Sequence, residues 1–446
     1  MLNVIRNNKL VRIRSIILSL GLFLITMLVS SSLSTSFFNL QKNQVLAQQY
    51  IQTVKYRNLV IDLGKGVKTN AQLTYPAVGK GPFPAVLLIH GSGANDKNGT
   101  LGFVHKYGPK PPTPYWQIAQ YLSERGFAVL RYDKRGVGAN LTVNQNVWGN
   151  ATVNDLIRDS GKALNVLATQ PEVDPKRISL IGHSEGTIIS PRVAIDNPAK
   201  VKNIILMGTV AHNLRDLLHY QVVFVPETYA RQVLDKNHTG LISIQRMAKD
   251  PVLSHIFVPS SVYLTFLRTN DTKVITNYLI NKFGSNTIEP GYVNIDKQLK
   301  PALVNSYKNI STFNQSRCNN LEGCPVWYRS HFRLVPTINI IGNVSNSTSI
   351  LLLNGENDKD TPVQQAFLLQ QRLTDVNHPD HTLITYPNLG HMFYPSSRWF
   401  TEIGPIQQYV LADLYSWLEA HSGFTNHAAA ARLPAPSMPS SNSTAK

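Results

Sequence analysis

Six short apolar runs punctuate the chain: Ala85–Ile89, Ala128–Tyr132, Ile178–Ile181, Asn203–Met207, Ile350–Leu353 and Thr382–Tyr386. Each is followed within two residues by Gly, Asp, Asn or Pro, and each has the length of a strand covered on both faces. Between them, Tyr115–Arg125, Val153–Ala168, Thr187–Asp196, Val363–Leu373 and Ile406–Ala420 carry apolar residues at helical spacing. Strands that alternate with helices in this way predict a doubly wound, mostly parallel α/β sheet with crossover helices.

The alternation stops after Met207 and resumes near Ser349. The stretch between is rich in Tyr, Phe, His, Asn and Leu without period-2 runs, and a break this long in a compact domain must carry structure of its own. It predicts a mostly helical cap inserted over 211–345, which divides the core into a first part, 48–210, and a second part, 346–423. Apolar and aromatic residues of the insertion, among them Phe224, Tyr229, Phe257, Tyr263 and Phe266, are expected either to shape a pocket or to pack the cap.

Both ends of the chain read differently from its middle. Arg6, Lys9, Arg12 and Arg14 precede an apolar run from Ile16 to Val29 and then three serines, the layout of an export signal. Residues 1–47 are therefore expected to be a signal and linker, or, if 12–33 is retained, a membrane anchor, with the bulk of the chain extracellular or on the outer face of the cytoplasmic membrane. Residues 424–446, rich in Ala, Pro and Ser, are expected to be a disordered tail. In an exporting context the two cysteines, Cys318 and Cys324, are expected to close a small disulfide loop, and the sequons at Asn98, Asn140, Asn150, Asn309 and Asn346 are available to any glycosylation machinery.

Composition narrows the partners. The 446 residues contain 43 Lys and Arg against 26 Asp and Glu, a formal net charge of +17 that favours anionic surfaces or substrates. The basic residues are scattered, with no zinc-finger spacing and no RNP-like aromatic motif, so nucleic acid is not an expected partner.

The chemistry concentrates at the ends of the predicted strands. Gly182-His183-Ser184-Glu185-Gly186 follows one strand and opens a helix, the setting in which a G-x-S-x-G turn projects its serine from the carboxyl end of a sheet. A serine hydroxyl is a weak nucleophile near neutral pH, so Ser184 needs a base, and the base needs an acid to orient it. His391 follows the last strand, and Asp358 follows the one before it, in the loop Asn354-Gly355-Glu356-Asn357-Asp358. Glu356 and Asp360 share that loop and remain alternatives to Asp358. The backbone amide of Glu185, at the start of the helix, and that of Ser92 or Gly91, in the loop His90-Gly91-Ser92-Gly93, are the expected oxyanion donors. Arg131-Tyr132-Asp133-Lys134-Arg135-Gly136-Val137-Gly138 lacks phosphate-loop spacing and reads as a structural turn.

On these residues, together with Gly81-Pro82-Phe83-Pro84-Ala85 and Gly208-Thr209, the chain resembles bacterial carboxylesterases of the α/β-hydrolase superfamily, in the dienelactone-hydrolase-like or serine-aminopeptidase-like group. The resemblance covers about residues 57 to 420. It implies the α/β-hydrolase fold and a hydrolase for acyl esters, on a small-molecule or polymer substrate, with no metal or organic cofactor. Dienelactone hydrolases proper use a cysteine nucleophile where this chain has Ser184, which argues against their reaction. Three functions stay open: a carboxylic-ester hydrolase, a peptidase or amidase on the same triad, and a non-catalytic surface-binding protein that kept the fold.

Overall fold

The computed structural model describes residues 53–100, 112–138, 142–250, 260–283, 291–312, 324–396 and 404–423, together with residues 253, 257, 258 and 402. The expected export segment at 1–47, the tail at 424–446, Asn140 and Cys318 lie outside the described residues.

An eight-stranded sheet forms the centre, in the order β1-β2-β4-β3-β5-β6-β9-β10. Its strands are β1 (Val54–Gly64), β2 (Val67–Pro76), β3 (Phe83–Ile89), β4 (Ala128–Tyr132), β5 (Val173–His183), β6 (Val201–Met207), β9 (Ser349–Gly355) and β10 (His381–Tyr386). From β4 to β10 every pairing is parallel, whereas β1 and β2 form an antiparallel hairpin whose second strand pairs antiparallel with β4. All six strands expected from apolar runs are present, and the doubly wound, mostly parallel sheet is the architecture observed.

The strands are apolar on both sides because both faces are covered. Along β3, Ala85, Leu87 and Ile89 belong to one core, and Val86 and Leu88 to the other. Helices α1 (Pro114–Ser123) and Gln408–His421 cover one face through Ile118, Leu122, Leu411 and Leu414. The other face packs against α2 (Val153–Ala168), α3 (Glu185–Asp196) and Gln364–Asp375, through Leu164, Ile189 and Leu369 among others. Burying a leucine in such a core stabilises the fold by roughly 1.5–3 kcal/mol.

Between β6 and β9 the chain leaves the sheet. A helical run of α and π turns extends from Leu214–His219 through Tyr220–Phe224 and Val225–Tyr229 to Ala230–Leu234. The short strands β7 (Leu241–Ser243) and β8 (Tyr292–Asn294) pair with each other, and the helices Ser260–Thr269, Thr272–Phe283, Lys300–Ser311 and α4 (Pro325–Phe332) complete the insertion. It has a core of its own around Met247, Ile275, Leu279 and Leu303. Tyr229 and Phe257 are buried in that core and Phe266 packs against it, so these three hold the insertion together rather than line a pocket. Phe224 is half exposed, and nothing is described of the Tyr263 side chain. Cys324, at the start of α4, is buried and disulfide-bonded.

Candidate active site

The turn from β5 into α3 is forced by close approach of backbone to backbone. A Cβ at Gly182 would stand 2.2 Å from the Gly186 carbonyl oxygen, and one at Gly186 would stand 2.4 Å from that of Ile89, so neither position accepts a larger residue without movement. Ser184 sits between them with φ +54° and ψ −114°, in backbone territory that residues with side chains rarely occupy. Its amide donates to the Met207 carbonyl at 2.9 Å, which locks the elbow to the end of β6. Ser184 is half-buried, and its hydroxyl makes no hydrogen bond among the described residues.

Asp358 and His391 come together from two loops at the same edge of the sheet. The carboxylate Oδ2 lies 2.8 Å from His391 Nδ1 and also accepts from the Thr361 hydroxyl at 2.7 Å. Its Oδ1 accepts from the amides of Asp360 and Thr361 at 2.8 and 2.7 Å. Because a carboxylate facing an imidazole nitrogen accepts, Nδ1 carries the proton and the neutral ring keeps its lone pair on Nε2. Neither alternative acid bonds to the imidazole, although an Asp360 carboxylate oxygen lies within 4.8 Å of the facing Asp358 and His391 atoms. Glu356 accepts from Thr385 at the exposed edge of β10, and Asp360 pairs with Lys359 at 3.0 Å.

The imidazole of His391 lies against His183, which precedes Ser184, and against Gly208. Its ring centroid is 4.7 Å from that of His183, and a Cβ on Gly208, one residue beyond Met207, would meet its Cε1 at 2.9 Å. Burial works against protonation of this ring, but the charges of Asp358, Asp360 and Glu402 outweigh it and raise the His391 pKa to about 9. His183 has the opposite balance: burial and the neighbouring His391 lower it to about 3, so it stays neutral, bonded through Nε2 to the His391 carbonyl at 3.1 Å. His90 is likewise held near 3 by burial and Lys134, with its ring on the Tyr132 carbonyl.

The loop after β3 lies directly over Ser184, since a Cβ on Gly91 would stand 3.2 Å from the Ser184 Cβ. Of the three amides expected to face a substrate oxygen, that of Gly91 donates to the Tyr115 hydroxyl at 3.0 Å and is engaged. Those of Ser92 and of Glu185, the first residue of α3, make no hydrogen bond among the described residues. A free amide at a helix N-terminus carries the positive end of the helix dipole, suited to a developing negative charge.

Several residues in the site carry no sequence motif. Glu402 accepts from the amides of His391 and Met392 at 2.6 and 3.0 Å and so fixes the histidine loop from below. The Glu185 side chain, named in the sequence only for its amide, is fully buried and accepts from Lys134, Trp327 and His331. The expected structural turn at Arg131–Gly138 is tied down residue by residue. Arg131 bonds to Asn98, Gln72 and Thr74, and Arg135 forms a two-pronged ion pair with Asp159 at 2.6 Å. A glutamate beside the serine, on a helix otherwise led by Gly186, Thr187, Ile188 and Ile189, is the signal that could have exposed this network, because a buried charge requires partners.

Residues 84–397 match the model of a family described as alpha/beta hydrolase fold. The chain is similar to Esterase EstD of Thermotoga maritima, 31% identical over 159 residues that make up 34% of this chain and 33% of that protein. It is similar to Esterase FrsA of Yersinia pestis, 25% identical over 184 residues, 39% of this chain and 38% of that protein. The chain thus spans only 33% of the length of the first relative and 38% of the second. Among solved structures, the alpha/beta hydrolase GrgF from Penicillium sp. sh18 aligns with 83% of this chain and 100% of its own, at 14% identity and a TM-score of 0.46. With a family model matched over most of its length, from β3 through the loop of His391, the chain belongs to the α/β-hydrolase fold family.

Proposed function

We propose that this protein is a serine hydrolase that cleaves carboxylic esters through an acyl-enzyme on Ser184, outside the cytoplasm. The observation that carries the reading is the His391–Asp358 pair set beside a half-buried serine held in strained backbone. Its similarity to two proteins named esterases favours esters over amides as substrates.

In this reading, Ser184 Oγ attacks the ester carbonyl while its proton passes to His391 Nε2. Negative charge gathers on the carbonyl oxygen, facing the amides of Ser92 and Glu185. Collapse expels the alcohol, which takes the proton back from His391 and leaves the acyl group on Ser184. Water then attacks the acyl-enzyme, giving its proton to His391, and the acid departs as Ser184 regains its own. Asp358 holds the ring with Nε2 toward the serine and stabilises the imidazolium in each half-reaction.

The export reading rests on the basic and apolar pattern of the first 29 residues, with residues 12–33 as anchor if they are retained. Hydrolysis of a series of short-acyl nitrophenyl esters beside a matched panel of aminoacyl nitroanilides tests the substrate class. Turnover of esters above anilides, lost in Ser184→Ala, supports the proposal. Preferential cleavage of anilides would replace it with a peptidase.

A further inference from the structure

A second buried carboxylate lies beside the nucleophile, and the triad does not use it. Glu185 Oε2 is 2.5 Å from Lys134 Nζ, and Oε1 accepts from Trp327 Nε1 and His331 Nε2, both at 2.6 Å. The side chains of Lys134, Glu185 and His331 are 6%, 1% and 1% exposed, so the cluster is sealed from water. Lys134 belongs to the turn after β4, Glu185 to the first residue of α3, and Trp327 and His331 to α4 of the insertion. Four segments therefore meet on one carboxylate, the fourth through the other contact of Lys134: its Nζ donates to the Gly91 carbonyl at 2.8 Å.

The Gly91 carbonyl and the Ser92 amide belong to the same peptide unit. In a planar trans peptide C=O and N–H point in opposite directions, so a donor that fixes the carbonyl also fixes the direction of the amide. Asn95 Nδ2 holds the same carbonyl at 3.0 Å and the Ser92 carbonyl at 2.7 Å, so the peptide is gripped on both sides of the amide. The neighbouring Gly91 amide is occupied by Tyr115, which leaves Ser92 as the loop's donor toward the space above Ser184.

We propose that Lys134 is a positioning residue for the oxyanion site. Glu185 anchors it, and through Glu185 so do Trp327 and His331; it holds the Gly91 carbonyl so that the Ser92 amide faces the oxygen of the carbonyl under attack. The inference rests on the reading of Ser184 as nucleophile and deepens it. It makes the inserted segment part of the catalytic apparatus: two of its side chains hold the glutamate that anchors the lysine, and the lysine aims an amide of the core. Burial disfavours the Glu185 carboxylate, but Lys134 and His331 outweigh this and hold it down to about 2, so the anchor stays ionised through any pH at which the enzyme works.

The test compares wild type, Lys134→Met and Trp327→Phe with a short-chain nitrophenyl ester and with an alkyl trifluoromethyl ketone, whose serine adduct carries an oxyanion. Trp327→Phe keeps a buried aromatic ring and removes one donor, so it reads the network even if Lys134→Met does not fold. A misdirected donor weakens the tetrahedral state more than the bound ester. Lys134→Met is expected to lower kcat by about 10- to 100-fold with KM within about threefold, and Trp327→Phe to lower kcat by about three- to tenfold. In each variant the inhibition constant of the ketone should weaken by the same factor as kcat/KM. Folded variants that bind the ketone as wild type does, or that lose activity through KM alone, overturn the inference and leave Ser184 as nucleophile. A wild type that forms no ketone adduct overturns the serine-hydrolase reading, and the inference with it.

Discussion

Two buried carboxylates belong to the site around Ser184, and they are built for opposite purposes. Asp358 is satisfied by two amides, a hydroxyl and His391, and its histidine keeps the second nitrogen without a hydrogen bond among the described residues. Glu185 is satisfied by an ammonium, an indole and an imidazole, and its lysine is committed in turn to the Gly91 carbonyl. The first arrangement leaves a proton acceptor whose pKa is raised to about 9, within reach of the working range, while the second holds its acid ionised at about 2. In the proposed mechanism one carboxylate supports a group that changes charge in every cycle, and the other supports groups that do not. The lesson is that burial beside the active site does not mark a residue as reactive; what matters is whether a partner is left open.

The largest expected effect comes from removing the open partner. His391→Ala should lower kcat by about 10⁴- to 10⁶-fold, and Asp358→Asn by about 10⁴-fold, with the fold intact in circular dichroism, because neither side chain spans separate layers of the structure. At the Glu185 site the balance shifts from rate to stability. Glu185→Gln leaves Lys134 buried without its counter-charge and should destabilise the protein by about 3–5 kcal/mol in urea unfolding. Equal losses of rate and stability at the two sites would erase the distinction between them.

The pH dependence separates the pairs more finely. In the proposed mechanism His391 serves as base only when neutral, so kcat/KM should climb with pH toward a plateau above about 9. Its raised pKa also means that the stability the pair contributes is complete below the ordinary histidine value of 6.5 and is lost as pH rises through about 9. Activity should therefore rise over the interval in which thermal stability falls. Glu185 has the reverse sign: its contribution is present above the ordinary value of 4.5 and is lost as pH falls toward about 2, so its loss should appear in acid unfolding and not in the rate profile. The smallest effect is expected at Glu402, whose pKa is raised by burial and by Asp360; Glu402→Gln keeps an acceptor for one of the two amides and should lower kcat by less than about tenfold.

The same contrast explains what could be read from the sequence. The six central strands were legible because burial on both faces writes a continuous apolar run, and their ends located Ser184, Asp358 and His391. The hairpin of β1 and β2 was not, because β1 alternates between core and solvent, with Ile61 buried beside Val60 at 63% exposure, and so lacks such a run. The strands β7 and β8 are three residues each and pair across about 50 residues of chain, too short to show any period. Asp358 could not be separated from Glu356 and Asp360 by sequence, since all three lie in one loop and only folding decides which of them meets the histidine. The Glu185 network was invisible for a related reason: Lys134, Trp327 and His331 are distant along the chain and follow no motif, and they meet only when the insertion packs on the core.

The most direct test of the account is intact-mass analysis after reaction with a fluorophosphonate, followed by peptide mapping of the adduct. The account predicts a single covalent adduct on Ser184 in wild type, none in Ser184→Ala, and greatly slowed formation in His391→Ala. A folded wild type that remains unmodified, or that carries its adduct on another residue, would contradict it.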